Sequence, residues 1–388
     1  MKQLIRTLLA LLLVVVMAVN FASCAAASPV HASPRATKVV ARAGDVEILY
    51  EELYFITMNK IAEMKAAHGE VVFADPARVE ELKSFVKGSL LTEETALISL
   101  GYEYGIDVHE GDVAENVQIF MESLVENEFA GDRGAYIDSL DKSFMTDHYA
   151  RSYFGIQNYL ANEIVLAMLG KGELETSDER VRERILSDDF VRTVHVIVSK
   201  TNPAYTDEEN KAHIAQLHAA ITAKTDASER YHAFREAIGS KYNNDFNDLN
   251  GNGYYFARGE MEQFYEDAAF ALQNDYDVSP VVESEDGYYI IMRLPKEESY
   301  IELNFQKLKE KSYFVTLNDK VSAKLAAMTL EMTPFGEGLD LTDLPAISAG
   351  AGSTMITVGV VAGVVLVVGV AVGAFFAVYK KKRAAKSK

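Results

Sequence analysis

The segment 258–272, RGEMEQFYEDAAFAL, holds apolar residues at a spacing that could form a pocket. Its apolar side chains recur along one face of a 3.6-residue helical period, at Met261, Phe264, Tyr265, Ala268, Ala269 and Leu272. The pattern predicts a helix over the whole segment. Such a face either fills a core or holds an apolar group of a ligand away from water.

His195 is the second candidate for chemistry, because it stands inside the apolar run VRTVHVIV, residues 191–198. A β-branched run bounded by polar residues predicts a buried strand. An imidazole there either is a hydrogen-bonded core group or offers one donor and one acceptor to a neighbouring site. The sequence contains no HExxH pattern, phosphate-binding loop or catalytic cysteine motif.

A calcium-binding loop is a third candidate for a functional site in the sequence. Asp248, Asn250, Asn252 and Gly253 match the start of an EF-hand loop, but its twelfth position is Gly259 instead of the bidentate glutamate. We therefore predict neither a metal nor a cofactor.

The two ends of the chain predict export and anchoring. Lys2 and Arg6 precede an apolar run, which predicts a signal peptide over 1–27. Residues 355–379 carry no charge and are long enough to span a bilayer, and the basic tail 380–388 follows them. Basic residues beside a span favour the cytoplasmic side, so we expect the body outside the membrane and the tail inside.

Cys24 is the sole cysteine, so no intramolecular disulfide can form. It ends the stretch FASC, which is similar to a bacterial lipobox with Phe21 at the place of the usual leucine. Lipidation of Cys24 is one interpretation. The alternative is signal peptidase I cleavage after Ala27 or Ala32.

The charge of the exported body excludes nucleic acid as a partner. Without Lys2, Arg6 and the basic residues of the tail, 30 of the 38 basic residues remain against 57 acidic ones, a formal charge of −27. Such a surface repels phosphate backbones and anionic membrane surfaces. The span also holds two GxxxG patterns, Gly359/Gly363 and Gly369/Gly373, which permit close pairing with a second copy.

The body divides by pattern into a helical region and an α+β region. A hairpin with a Gly44-Asp45 turn is followed by helices over 51–68, 75–104, 111–129 and 146–170, which predicts a helical region over 38–187. A capping box at Thr176, the strand 191–198, two helices, a loop over 242–253, a strand, the helix 258–272 and a hairpin follow, predicting an α+β domain over 190–296. A helix over 300–331 within 297–333 and a linker over 334–354 complete the body.

With these elements placed, residues 190–296 resemble a parvulin-type (PpiC) peptidyl-prolyl isomerase domain. Four blocks occur in the family's order: VRTVHVIV, NGNGYYF (similar to GGDLGYF), RGEMEQFYEDAAFAL (similar to RGQM…FEDAAFAL) and GYYIIMRL (similar to GYHII). The flanking VVARAGDVEILYEEL and GIDVHEGDV resemble the chaperone region of exported foldases of the PrsA and SurA type. The C-terminal span departs from the usual lipid anchor of PrsA-type proteins.

The resemblance implies a parvulin-like domain inserted in a mostly α-helical chaperone domain, with a C-terminal transmembrane helix. It implies a proline pocket on Met261, Tyr265 and Phe270, with Tyr265 where the family mostly has phenylalanine. It implies catalytic positions at His195, at Tyr289 in place of the second histidine, and at Asp245 beside the reacting amide. Because a buried phenol needs a partner, we predict a hydrogen bond between Tyr289 and His195.

The function implied is that of an exported, membrane-anchored foldase. It would hold unfolded or partly folded secreted polypeptides and isomerise their Xaa-Pro bonds without a cofactor. The alternative is a holdase whose isomerase domain has lost catalysis, and a third interpretation is a surface protein that uses these domains for assembly or adhesion.

Overall fold

The structure, a computed structural model, describes residues 34–202, 204–245 and 252–347. This part of the chain forms two compact units, residues 34–173 with 317–347 and residues 174–316. Within it, no helix is both long enough and apolar enough to cross a bilayer. The predicted signal peptide, Cys24, the predicted span 355–379 with its glycine pairs and the basic tail lie outside the described residues.

The first unit contains a three-stranded antiparallel sheet in the order β2-β1-β7. Strands β1 (Val39–Ala43) and β2 (Val46–Leu49) form the predicted hairpin, with Gly44 at a φ of 62° in the turn. Strand β7 (Leu330–Met332) pairs with the other edge of β1. The predicted helix over 300–331 is therefore wrong at its end, because Leu330 and Met332 pack against the hairpin core as a strand.

Seven helices of the first unit precede residue 172: α1 (Tyr50–His68), α2 (Pro76–Ser89), α3 (Glu93–Glu103), α4 (Gly111–Glu128), α5 (Arg133–Lys142), α6 (Asp147–Gly155) and α7 (Ala161–Lys171). A π-helical turn, Ile156–Leu160, joins α6 to α7. The single helix predicted over 75–104 is two helices, because Thr92 adopts extended backbone and caps α3 together with Thr95. Helix α5, which was not predicted, begins where Asp132 accepts hydrogen bonds from the backbone of Gly134 and Ala135.

Part of the predicted linker 334–354 is folded. A short helix, α14 (Pro334–Glu337), is followed by Leu344 and Ile347, which are buried in the hairpin core. The hydroxyl of Tyr50 donates to the carbonyl of Pro345 at 2.5 Å. Leu339 and Leu341 pack against the same core, so residues 334–347 belong to the first unit.

The second unit is an α+β fold on a four-stranded antiparallel sheet in the order β4-β3-β6-β5. The strands are β3 (Phe190–Ser199), β4 (Tyr254–Ala257), β5 (Val282–Glu283) and β6 (Gly287–Arg293). Helices α9 (Asp207–Thr222) and α10 (Ala227–Ile238) pack on the face formed by Val194, Val196 and Val198. Helix α11 (Gln263–Ala271) packs on the opposite face.

Two further helix groups enlarge the second unit beyond the predicted domain 190–296. Helix α8 (Asp178–Leu186), helix α12 (Glu298–Leu303) and the start of α13 (Phe305–Ala327) enclose one core with strands β3 and β4. Residues 174–187 and 297–316, which the sequence analysis assigned to the helical region, thus pack in this unit. The N-cap of α8 is Ser177 instead of the predicted Thr176, since the Ser177 hydroxyl accepts from the backbone of Arg180.

Candidate active site

The centre of the candidate site is a buried bridge between strand β3 and helix α11. Thr193 and His195 lie two residues apart and therefore point to the same face of β3. The hydroxyl of Tyr265 on α11 lies 3.0 Å from His195 Nδ1 and 2.9 Å from Thr193 Oγ1. The side chains of all three residues are almost completely buried. The bridge thus fixes the imidazole against the helix in a site closed to water.

Asp245, predicted to lie beside the reacting amide, lies on the other side of the imidazole. Its Oδ2 is 2.7 Å from His195 Nε2, although the ring N–H does not point along this contact. The Tyr254 hydroxyl donates to the same Oδ2 at 2.8 Å, and the Tyr254 ring stacks on His195 at 5.0 Å between ring centres. Asn243 holds the preceding loop, accepting from the backbone N–H of Ile197 and donating to the carbonyl of Asp245.

Tyr289 contacts His195 through its ring and not through its hydroxyl. The two rings meet edge to face at 5.7 Å, and no hydrogen bond joins these two described residues. The predicted partnership is therefore wrong, because Tyr265 occupies Nδ1 of His195. Burial, followed by the Glu262 carboxylate, raises the pKa of Tyr289 well above its usual value. The phenol accordingly stays neutral at physiological pH and cannot serve there as a base.

The turn before α11 presents Met261. The carboxylate of Glu266, itself buried, accepts from the backbone N–H of Gly259 at 2.9 Å and of Met261 at 2.7 Å. Gly259 has a φ of 81°, which favours glycine. The helix predicted over 258–272 consequently begins only at Gln263. Met261 stands on a turn that a buried carboxylate holds in place.

An apolar surface covers the polar bridge. The half-buried side chains packed over this core are Tyr254, Met261, Phe264, Ala268, Phe270 and Tyr289. Phe270 packs edge to face on the buried Phe256, and the guanidinium of Arg258 lies 4.2 Å above the Phe270 ring. Of the three predicted pocket residues, Met261 and Phe270 reach the surface. Tyr265 is only 2 % exposed and lies beneath it.

A comparison with protein families assigns this part of the chain. Residues 195–294 match the family model described as Rotamase, PPIC-type PPIASE domain. The second unit contains a PPIC-type domain. The matched residues include His195, Asp245, Met261, Tyr265, Phe270 and Tyr289. The family match therefore confirms the predicted parvulin-type resemblance of this domain.

Solved structures of foldases are similar to the chain containing this PPIC-type domain. The foldase PrsA of Streptococcus pneumoniae is 17% identical over 73% of this chain and 91% of that chain, with a TM-score of 0.29. PrsA of Bacillus subtilis is 16% identical over 75% and 91%, with a TM-score of 0.22. A SurA-like chaperone of Campylobacter jejuni is 18% identical over 62% and 95%, with a TM-score of 0.21. No curated protein matches the chain. The assignment of the PPIC-type domain depends on the family model.

Sequence reasoning missed three residues of the PPIC-type domain's site. Thr193 could have been found, since it lies two positions before His195 on the same strand face. Tyr254 lies in the predicted strand YYF, but the sequence does not show that its hydroxyl reaches Asp245. Nothing in the sequence distinguishes Glu266 from the other acidic residues of its helix.

The described residues contain no group of three or more His, Cys, Asp or Glu that could hold a metal ion. Asp248 and Asn250 of the calcium-loop motif lie outside the described part of the chain.

Proposed function

We propose that this protein is a peptidyl-prolyl cis-trans isomerase and chaperone that acts on secreted polypeptides outside the cytoplasmic membrane. The observation that carries the proposal is the PPIC-type domain, whose half-buried apolar surface lies directly over the His195–Tyr265 bridge. Rotation about an Xaa-Pro bond crosses a barrier of roughly 18–20 kcal/mol and can limit folding. It requires no bond breaking and no cofactor.

The site suits this reaction by its contacts. Met261 and Phe270 offer an apolar surface to the proline ring, which removes water from the amide. The twisted amide loses its double-bond character, so groups that favour the twisted form over the planar form lower the barrier. His195 and Asp245 supply fixed dipole and charge behind the apolar surface.

Chaperone action is assigned to the first unit. Several of its apolar side chains are exposed to solvent: Val71 is 79% exposed, Ile119 57% and Phe85 42%. Exposed apolar groups offer contacts to apolar segments of an unfolded polypeptide. The sequence resemblance of its β1–α1 region to exported foldases supports the same assignment.

Export and anchoring are supported by the sequence alone. The basic and apolar N-terminal segment, the uncharged residues 355–379 and the basic tail 380–388 fit a body outside the membrane with its C-terminus inside. Lipidation of Cys24 would add a second anchor. In this arrangement, clients emerging from the export machinery meet the foldase at the membrane.

Tyr289 favours a second candidate, a holdase with little or no isomerase activity. Its phenol stands at the place of the family's second histidine, yet no hydrogen bond joins it to His195 in the described structure. A neutral phenol cannot replace the charge that a histidine could carry.

One experiment separates the two candidates. The body, residues 33–350, is tested with Xaa-Pro peptides by exchange spectroscopy and, in parallel, for suppression of aggregation of an unfolded client. Acceleration that Met261→Ala reduces supports the isomerase. Suppression of aggregation without acceleration on any peptide overturns the isomerase and leaves the holdase. A body that does neither contradicts both.

A further inference from the structure

The hydroxyl of Tyr265 occupies the centre of the polar network in the PPIC-type domain. It lies within hydrogen-bond distance of Thr193 Oγ1 and of His195 Nδ1, at 2.9 and 3.0 Å. The Tyr265 side chain is 2 % exposed and His195 is 3 % exposed. Neither water nor a bound peptide can readily replace this hydroxyl as the partner of Nδ1.

The position of Asp245 determines which imidazole nitrogen of His195 carries the proton, and therefore which groups donate in the network. Its Oδ2 lies 2.7 Å from His195 Nε2, off the direction of a ring N–H or lone pair, so an unprotonated nitrogen would still bring its partial negative charge against a carboxylate oxygen. In a neutral imidazole that repulsion places the proton on Nε2 and leaves Nδ1 as the acceptor. The Tyr265 O–H then donates to Nδ1, and the Thr193 O–H donates to the Tyr265 oxygen. Each of these protons has a polar neighbour.

We infer that Tyr265 is a positioning residue of the isomerase site, whose hydroxyl holds His195 in the tautomer with its proton on Nε2. The inference rests on the proposed function and extends it, because it gives Tyr265 a polar role in addition to packing. Tyr265 would act through His195, since its own ring lies beneath the surface that a proline could contact.

Tyr289 cannot take over this role in the observed arrangement. Its ring centre lies 5.7 Å from that of His195 and 6.2 Å from that of Tyr265, both edge to face, and its contact with the imidazole is through the ring. If Tyr265 is the positioning residue, removing its hydroxyl disturbs the imidazole. Removing the hydroxyl of Tyr289 does not.

The test uses the full chain, purified in mild detergent and labelled with nitrogen-15 in the histidine rings. The His195 signals are assigned by their loss in His195→Gln. Tyr265→Phe removes one oxygen and keeps the ring. Tyr289→Phe is the paired comparison within the site. Tyr288→Phe is the matched control, because Tyr288 is equally buried but packs on the opposite face of the sheet, with its hydroxyl on Asp207.

Tyr265→Phe is expected to shift the His195 Nδ1 resonance and to lower kcat/KM about tenfold, mainly through kcat, which corresponds to about 1.4 kcal/mol. Thr193→Val should shift the same resonance in the same direction by less, and it replaces Tyr265→Phe as the test if that variant does not fold. Tyr289→Phe should leave the His195 resonances unchanged. Tyr288→Phe should leave both the resonances and kcat/KM unchanged.

The inference is overturned if Tyr265→Phe, folded, leaves the His195 ring resonances in place, or if Tyr289→Phe is the variant that moves them. A wild-type chain without isomerase activity overturns the proposed function instead. In that case the ring resonances still decide whether Tyr265 sets the tautomer.

Discussion

Glu266 and Met261 are joined by a hydrogen bond of 2.7 Å from the backbone N–H of Met261 to the buried carboxylate of Glu266. The same carboxylate accepts from the N–H of Gly259. Through these two bonds, Glu266 of α11 holds a residue of the apolar surface of the site in place. The position of Met261 therefore depends on a carboxylate that is itself buried.

Glu266→Gln is expected to destabilise the body by about 1–3 kcal/mol, because one acceptor oxygen becomes an amide NH2 donor that faces a backbone N–H. The loosened turn should also raise KM for Xaa-Pro peptides more than it lowers kcat. Urea unfolding and steady-state kinetics measure the two effects. Asp267→Asn is the control, since Asp267 is exposed on the same helix. Equal stability of the two variants would contradict the role assigned to Glu266.

The strand β3 and the turn before α11 show which parts of the fold the sequence pattern predicts and which it does not. The β-branched run of residues 191–198 correctly predicted β3, because burial on both faces favours such residues in a strand. The apolar spacing of 258–272 also continues through the turn, so the pattern alone extends the helix by five residues. The helix cannot begin at Arg258, because Gly259 has a positive φ and its backbone N–H donates to the side chain of Glu266. The spacing of the apolar residues in the sequence indicates neither constraint.

The residues of the candidate site were likewise predicted only in part. The family resemblance places His195, Asp245, Met261 and Phe270 at one site, but the prediction gives His195 the wrong hydrogen-bond partner, Tyr289. The observed partner, Tyr265, is 70 positions away from His195 in sequence. Which of two tyrosines donates to the imidazole depends on helix placement and side-chain rotamer, and neither is encoded in residue type or spacing.

Met261→Ala is expected to lower kcat/KM about tenfold, the equivalent of about 1.4 kcal/mol of contact with the proline ring. The side chain is half-buried at the surface, so the fold should remain intact. Tyr289→Phe should have the smaller effect, because it keeps the ring contacts with His195 and Phe264. Exchange spectroscopy on Xaa-Pro peptides ranks the two variants. The reverse order would show that the Tyr289 hydroxyl matters more than the apolar contact.

His195→Ala is expected to reduce both stability and activity. It leaves the buried Tyr265 hydroxyl without its imidazole partner and the Asp245 carboxylate without its neighbouring nitrogen, at a cost of about 1–3 kcal/mol. Urea unfolding and peptide isomerisation are measured together. His232→Ala, an exposed histidine of α10, is the control. Loss of activity with unchanged stability would indicate that the network does not support the fold.

Topology gives a prediction independent of the active site. Protease added to intact, wall-stripped cells should degrade the body and spare an epitope on the tail 380–388, because the basic residues favour the cytoplasmic side. Protection of the body would contradict export.

A chain truncated after Gly352 should stay on the membrane only if Cys24 is lipidated, and Cys24→Ala should then release it.

The acidic cluster of the first unit predicts how stability depends on pH. Glu52 on α1 is half-buried, with Glu51, Glu94 and Tyr149 near it. Burial, followed by the Glu94 and Glu51 carboxylates, raises the pKa of Glu52 to about 8. Burial also raises the pKa of Glu94 to about 7, against the opposing hydrogen bond from Gln157.

These shifts fix the direction of the effect. In the unfolded chain Glu52 ionises near its usual value of 4.5, whereas in the folded chain it keeps its proton up to about pH 8. The folded state therefore binds more protons across this window, so the free energy of unfolding falls as the pH rises through it.

Glu52→Gln removes the ionisation while keeping a neutral side chain of similar size. We expect the variant to be more stable than the wild type at pH 9 and to lose less stability between pH 6 and pH 9. Urea unfolding at the two pH values measures this, with the exposed Glu115→Gln as the control. An identical fall in the wild type and in Glu52→Gln would show that Glu52 is ionised in the folded protein at neutral pH.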